Sequence, residues 1–282
     1  MNIIFFLIFT WGISFLLPIC ILINYKFLFI YASLIIITKI YLVYFYNNNH
    51  HNYILNSLLN FYSIKIINKP KINNKSLIAC FPHGVFCQGF IITGLLYKNY
   101  IKFVTSILIN IPIFGYFLKY YNTKSASKSI FLNYMKQDNK LLLLPGGFNE
   151  LFMTKKYEYN LYIPTGFIAL CIKNEYNIYP CLFLGENELF DTITIPKQYW
   201  DYCFKLMKIV QIPLNFLYSI IPKKVPIHII YGEKIKCNKI DSIEHIRDQI
   251  KNQLTLMFNS NIKEYCKLYN FDHTKYKLNI YL

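Results

Sequence analysis

His83 stands between Pro82 and Gly84, where a short apolar run from Ile78 to Phe81 comes to an end. An imidazole changes charge near neutral pH, so one presented at a strand end has the chemistry of a general base, and the glycine behind it lets another molecule approach the backbone. Three later stretches belong with it: LLLLPGGFNE (141–150), CLFLGENELFD (181–191) and VPIHIIYGEKI (225–235). In the first, Gly146 and Gly147 make a tight exit from a strand of four leucines, where free backbone N–H groups suit an oxyanion or a phosphate. Glu150 follows, and if the strands run parallel it stands at the same sheet end as His83, the end at which ligand sites of open α/β sheets collect. Glu186, Asn187 and Glu188 come directly after another apolar strand and are read as shaping the site, while His228 lies inside an apolar strand and reads as a core histidine. Each has a plainer alternative: a turn histidine for His83, a helix N-terminal carboxylate for Glu150, a solvated turn for residues 186–188.

Other chemistries find less support. The eight cysteines include no C-x-x-C pair and lie mostly in apolar runs, the pattern of buried thiols in a reducing compartment rather than of disulfides or zinc. Cys87, four residues after His83, reads as a core thiol on the apolar side of a helix rather than as a nucleophile. His50 and His51 fall in an Asn-rich stretch with no further ligand nearby and read as solvated, so no metal and no cofactor is expected. A net charge of +16 together with 55% hydrophobic residues points to an anionic membrane surface. No Arg-rich patch or nucleic-acid module is present, and nucleic acid is not an expected partner.

The elements that must position these residues follow from hydrophobic patterning. Residues 3–23 and 27–46 are two apolar runs of bilayer-spanning length, joined by Asn24-Tyr25-Lys26 and broken only by Lys39. So short a joint makes residues 1–46 a transmembrane or re-entrant hairpin, and the Lys-rich remainder then belongs on the cytosolic side. Residues 47–74 read as a linker around an amphipathic helix, Tyr53 to Tyr62. From residue 75 to 282 the pattern is that of an α/β domain, with strands at Leu77–Phe81, Tyr100–Thr105, Leu141–Leu144, Tyr179–Leu184 and Ile227–Tyr231. Helices are expected at Val85–Tyr97, at Ser125–Gln137 with Ser125 as N-cap, at Thr165–Asn174 and at Ile243–Tyr269. Strands this continuously apolar imply a sheet covered by helices on both faces.

Taken together, the four stretches resemble the type 2 diacylglycerol acyltransferase family, which includes monoacylglycerol and wax-alcohol acyltransferases. The family pattern H-P-H-G with a following glycine is matched by Phe81-Pro82-His83-Gly84 and Gly89, and G-G-x-x-E by Gly146, Gly147 and Glu150. Leu184-Gly185-Glu186-Asn187-Glu188-Leu189-Phe190 matches a third block, and Pro226-Ile227-His228 with Gly232-Glu233 a fourth. The blocks keep the family's order across essentially the whole chain. The resemblance implies a glycerolipid-acyltransferase-like mixed sheet behind an N-terminal hydrophobic hairpin. It further implies acyl transfer from acyl-CoA to a membrane lipid alcohol, diacylglycerol first, at the cytosolic face of the endoplasmic reticulum or at a lipid droplet. His83 and Glu150 are then the expected catalytic pair. Pro82, Gly84, Gly89, Gly146, Gly147, Glu186, Asn187 and Glu188 would line the substrate or hold the oxyanion. The chain departs from the pattern in three places. Phe81 replaces the first His, and Gln88 occupies the position where related glycerol-phosphate acyltransferases carry an Asp. Pro164-Thr165-Gly166-Phe167 replaces R-K-G-F, so Lys155 and Lys156 become the expected contacts for the CoA phosphates.

Overall fold

The computed structural model describes residues 33–38, 48–111, 114–192, 196–210 and 222–282. After a helical stretch at 33–38 come α1 (Asn48–Phe61), β1 (Lys65–Ile67), β2 (Ser76–Phe81), α2 (Gln88–Leu96) and β3 (Ile101–Val104). Then follow α3 (Ser106–Asn110), α4 (Phe114–Tyr120), β4 (Thr123–Ser125), α5 (Lys128–Lys136), β5 (Lys140–Leu143) and α6 (Gly147–Phe152). The chain continues through β6 (Glu158–Tyr162), α7 (Thr165–Asn174), β7 (Asn177–Leu184), α8 (Trp200–Val210), β8 (His228–Tyr231), α9 (Ile243–Leu268) and β9 (Lys277–Tyr281). Seven strands form one sheet in the order β1-β8-β7-β2-β5-β3-β4, and β6 pairs with β9 in a second, two-stranded sheet. All neighbours in the large sheet are parallel except β7 and β8, which makes it mixed, as expected.

The central strand β2 is buried at all six positions, the signature of a parallel strand covered on both faces. Its side chains alternate between two cores. Leu77, Ala79 and Phe81 join Ile168 and Cys171 of α7 and Ile250, Leu254 and Phe258 of α9. Ile78 and Cys80 join Leu58 of α1, Tyr62, and Phe90, Ile92 and Leu95 of α2. All five strands expected from apolar runs form, within two residues of their expected ends. The strands β1, β4 and β6 escape the pattern because KII, TKS and EYNLY are short or polar, with no apolar run to mark them.

Several expectations are corrected. Residues 47–74 are more than a linker: β1 pairs in parallel with β8, extending the sheet, and Leu58 and Tyr62 are fully buried in the core. His51 is buried rather than solvated, its Nε2 3.2 Å from the carbonyl of Leu95 in α2, and burial lowers its pKa. Ser125 ends β4 instead of capping a helix; its Oγ accepts from the N–H of Ser127, and α5 starts at Lys128. The helix expected from Val85 begins only at Gln88, with half-buried Cys87 at its N-cap in a left-handed conformation. Burial pushes the Cys87 thiol up, so it is no thiolate nucleophile at neutral pH. The seven cysteines among the described residues are free thiols, as expected, while Cys20 lies outside them.

The expected hairpin, residues 1–46, lies outside the described residues apart from 33–38, where Leu34 and Ile35 rest against Phe117 of α4. Among the described residues no helix is long and apolar enough to cross a membrane. If residues 47–74 are integral to the fold, Leu58→Ala costs about 2–5 kcal/mol of unfolding free energy, the range for a fully buried leucine. A urea titration measures it, and a residue in a detached linker would shift the midpoint little.

Candidate active site

Strand register brings the blocks to one edge. Phe81 of β2 is level with Leu182 of β7, and Ala79 with Leu143 of β5, all in parallel. His83, Gly146 and Glu186 therefore leave the carboxyl ends of three adjacent strands, the place where parallel sheets collect ligands. The antiparallel β8 starts at the same edge, because its His228 is level with Leu184.

Three buried glutamates tie these exits together. Glu150 accepts from the backbone N–H of His83 at 2.7 Å with Oε2 and from that of Tyr162 at 2.8 Å with Oε1. Glu186 accepts from the N–H groups of Gln88 and Gly89 at 2.9 and 2.7 Å, holding the first turn of α2. Glu188 accepts from the N–H of Tyr157 and from the hydroxyl of Tyr159, and that same hydroxyl accepts from the N–H of Gly185. Asn187 donates to the carbonyl of Glu158, leaving its Oδ1 buried with no hydrogen-bond partner among the described residues. These residues are 1–2% exposed, so the solvated-turn alternative fails. Burial pushes Glu150 and Glu186 up to about 8 and Glu188 up to about 7, against the N–H and hydroxyl donors that lower them.

The site glycines answer to these same side chains. Gly84 has a φ of +61°, and a Cβ there would lie 2.5 Å from Cγ of Glu186. Its missing side chain makes room for Glu186, which corrects the expectation that it opens the backbone to a ligand. Likewise Gly146 leaves room for Glu150 and Gly89 for the ring of Phe183. Gly147 differs: its φ is +47° and nothing lies within 4 Å of where a Cβ would be, so its backbone is the approachable one. The N–H of Gly89 is bound to Glu186 and that of His83 to Glu150, so neither is available to a ligand, whereas the space beside Gly147 is open.

His83 is half-buried, behind buried Pro82. Its Nδ1 lies 2.9 Å from the carbonyl oxygen of Gly84. A carbonyl only accepts, so Nδ1 carries the proton and Nε2 is left with its lone pair. Burial lowers the His83 pKa from 6.5, so the ring is neutral at pH 7. Glu150 serves the backbone of His83 and not its imidazole, which corrects its role from acidic partner to positioning residue. Phe81, where the family has its first His, is fully buried in the core shared with α7 and α9. The backbone of Gln88 serves Glu186, while its buried Oε1 has no hydrogen-bond partner among the described residues. Lys155 is taken up by Glu158 at 2.6 Å, and Lys156 lies over the Tyr157 ring. His228 is a satisfied core histidine, as expected: 2% exposed, its Nε2 3.0 Å from the Tyr269 hydroxyl, its pKa lowered to about 4 by burial. Sequence reasoning missed Tyr157, Tyr159 and Tyr162. They lie in or beside β6 with no motif around them, and only the fold sets them against Glu150 and Glu188.

Among the described residues no group of histidines, cysteines and carboxylates is arranged to hold a metal ion. No protein-family model matches the chain. It is 23% identical over 215 residues to a 2-acylglycerol O-acyltransferase 1 of Bos taurus, covering 65% of this chain and 64% of that protein. It is 24% identical over 144 residues to a diacylglycerol O-acyltransferase 1 of Schizosaccharomyces pombe, covering 46% and 42% respectively. The matches thus span less than two thirds of either relative. In structure the chain is similar to the 1-acyl-sn-glycerophosphate acyltransferase PlsC of Thermotoga maritima, with a TM-score of 0.48 and 14% identity over 83% of this chain and 95% of that one. The chain is a distant relative of the 2-acylglycerol and diacylglycerol O-acyltransferases, in agreement with the resemblance carried by its four blocks.

The buried carboxyls make stability pH-dependent in a definite sense. In the unfolded chain Glu150 and Glu186 lose their protons near 4.5, in the fold near 8, so between these values the native state binds more protons. Stability is then highest below about 4.5 as far as these groups decide it, and falls as pH rises to about 8. Urea midpoints across that interval measure the slope. Glu186→Gln reduces it and costs roughly 1–3 kcal/mol, because the amide turns an N–H toward a buried backbone N–H.

Proposed function

We propose that the protein transfers a fatty acyl group from acyl-CoA to the hydroxyl of a membrane glycerolipid, with diacylglycerol the first acceptor to test. The observation that carries this reading is a neutral His83 whose Nε2 has no hydrogen-bond partner among the described residues, beside the open Gly146–Gly147 turn. An alcohol is a poor nucleophile until its proton is removed during attack. In the proposed step the acceptor oxygen bonds to the thioester carbon as its proton passes to Nε2, and the carbonyl oxygen becomes an oxyanion held by backbone N–H groups. Collapse breaks the C–S bond, and Nε2 returns the proton to the CoA thiolate. Each reacting group, the imidazole, the hydroxyl and the thioester, gives a neutral product, so neither a metal nor an acyl-enzyme is needed.

The imidazolium formed on the way has no carboxylate recorded against its ring among the described residues, its stabilisation resting on the Gly84 carbonyl. This feature, with Phe81 buried in the core, favours one second reading: a lipid-binding member of the same fold without catalysis. The two apolar runs of residues 3–46 and the basic remainder support placement at the cytosolic face of the endoplasmic reticulum or on a lipid droplet.

Purified protein assayed with labelled oleoyl-CoA against monoacylglycerol, diacylglycerol, long-chain alcohol and lysophosphatidate separates the readings. Transfer to an acylglycerol is expected, and His83→Ala should lower it roughly a hundredfold or more. Undiminished transfer by that variant would exclude His83 as the base, and no transfer to any acceptor would favour the lipid-binding reading. Because burial lowers the His83 pKa, kcat/KM should be level at neutral pH and above and decline only at a pH below 6.5.

A further inference from the structure

A groove of about 700 Å³ opens where β3 and β4 end, on the outer half of the sheet. Its walls include Lys119 of α4, Lys124 of β4, Ser106, Ser127, Ser129 and the ring of Tyr134. No carboxylate lines it, and neither lysine makes an ion pair among the described residues. Both ammonium groups lie instead near tyrosine rings, Lys119 over Tyr116 and Lys124 over Tyr134. On the same wall α5 starts with no acidic residue in its first turn and no side-chain cap. Hydroxyls, two cations and a half-buried ring around one concavity are the complement of a phosphorylated nucleoside.

Its position relative to His83 follows from the ladders. Ser125 pairs with Val104, Phe103 with Leu143 and Leu143 with Ala79, so the end of β4 is level with Cys80, just before His83 leaves β2. The order β2-β5-β3-β4 puts three strand spacings between them, about 14 Å along the same sheet edge. Lys155 and Lys156, the cations expected from the sequence to meet CoA phosphates, are held by Glu158 and by the Tyr157 ring.

We propose that this groove binds the phosphate-bearing nucleotide end of coenzyme A, through Lys119 and Lys124, while the pantetheine arm runs along the sheet edge to deliver the thioester to His83. The proposal rests on the acyl-CoA reading above, and its test is arranged so that the two can fail separately. The full-length protein is titrated with free CoA and with dephospho-CoA, which lacks the 3′-phosphate, and vesicle binding is measured with and without anionic lipid.

The double variant K119A/K124A should weaken CoA binding about tenfold, and dephospho-CoA binding less, as expected for two partly solvated ammonium–phosphate contacts. K119R/K124R should retain the affinity, and K155A should stay within about twofold of the parent, a shift too small to count as a lost charged contact. Binding should also weaken with added salt. A K119A/K124A protein with an unchanged circular dichroism spectrum and unchanged CoA affinity overturns the proposal. So does a parent protein that binds no CoA, or a double variant that loses only its attraction to anionic vesicles, which would assign the lysines to lipid headgroups. CoA binding that depends on these lysines without acyl transfer to any acceptor keeps the groove and removes the transferase reading. Acyl transfer with an unchanged KM for acyl-CoA in the double variant keeps the transferase and removes the groove.

Discussion

The whole candidate site depends on buried carboxyl groups that accept hydrogen bonds from backbone N–H groups. Each of Glu150, Glu186 and Glu188 joins segments that are remote in the chain: the β2 exit to the end of β6, the β7 exit to the start of α2, and the β7 exit to the start of β6. A buried carboxyl is costly unless its oxygens find donors, and a buried N–H is costly unless it finds an acceptor. Placed together they offset each other, and the loops around the site lose the freedom to move apart. The glycines follow from the same constraint. Gly84 and Gly146 are bare because a carboxylate side chain occupies the space where a Cβ would be.

That scaffold decides how His83 is presented. Its N–H is anchored by Glu150, its Nδ1–H by its own neighbour's carbonyl, and the remaining nitrogen is the only ring position left for chemistry. In the proposed reaction such a ring would act as a neutral base without a charged partner, suited to a proton transfer that begins and ends with neutral reacting groups. Phe81 stands in a different environment. That side chain faces the core beneath the sheet, where a second imidazole would need a partner that this apolar environment does not supply.

The outer half of the sheet has a different character. The strands β3 and β4 carry a buried lysine, Lys102, whose ammonium donates to the carbonyl of Lys98 and whose pKa burial lowers to about 8. Beyond them lies the groove with Lys119 and Lys124.

Much was legible in the sequence because it is local. Continuous apolar runs require a strand covered on both faces, a 3.6-residue spacing requires α9, and the four blocks with their order and their resemblance stand in consecutive residues. So do the histidine at a strand end and the core character of His228. What a glutamate does was not legible. Glu150 lies 67 residues from the N–H it binds at His83, and Glu186 lies 98 residues from that of Gln88, separations at which no pattern in the chain reveals a partner. For the same reason the burial of His51 against α2, the strand at residues 65–67 and the tyrosines beside β6 emerge only from the fold. Which residue types stand at the sheet edge is written in consecutive residues, but which of them are chemically free depends on hydrogen-bond partners supplied by other strands, and so emerges with the fold.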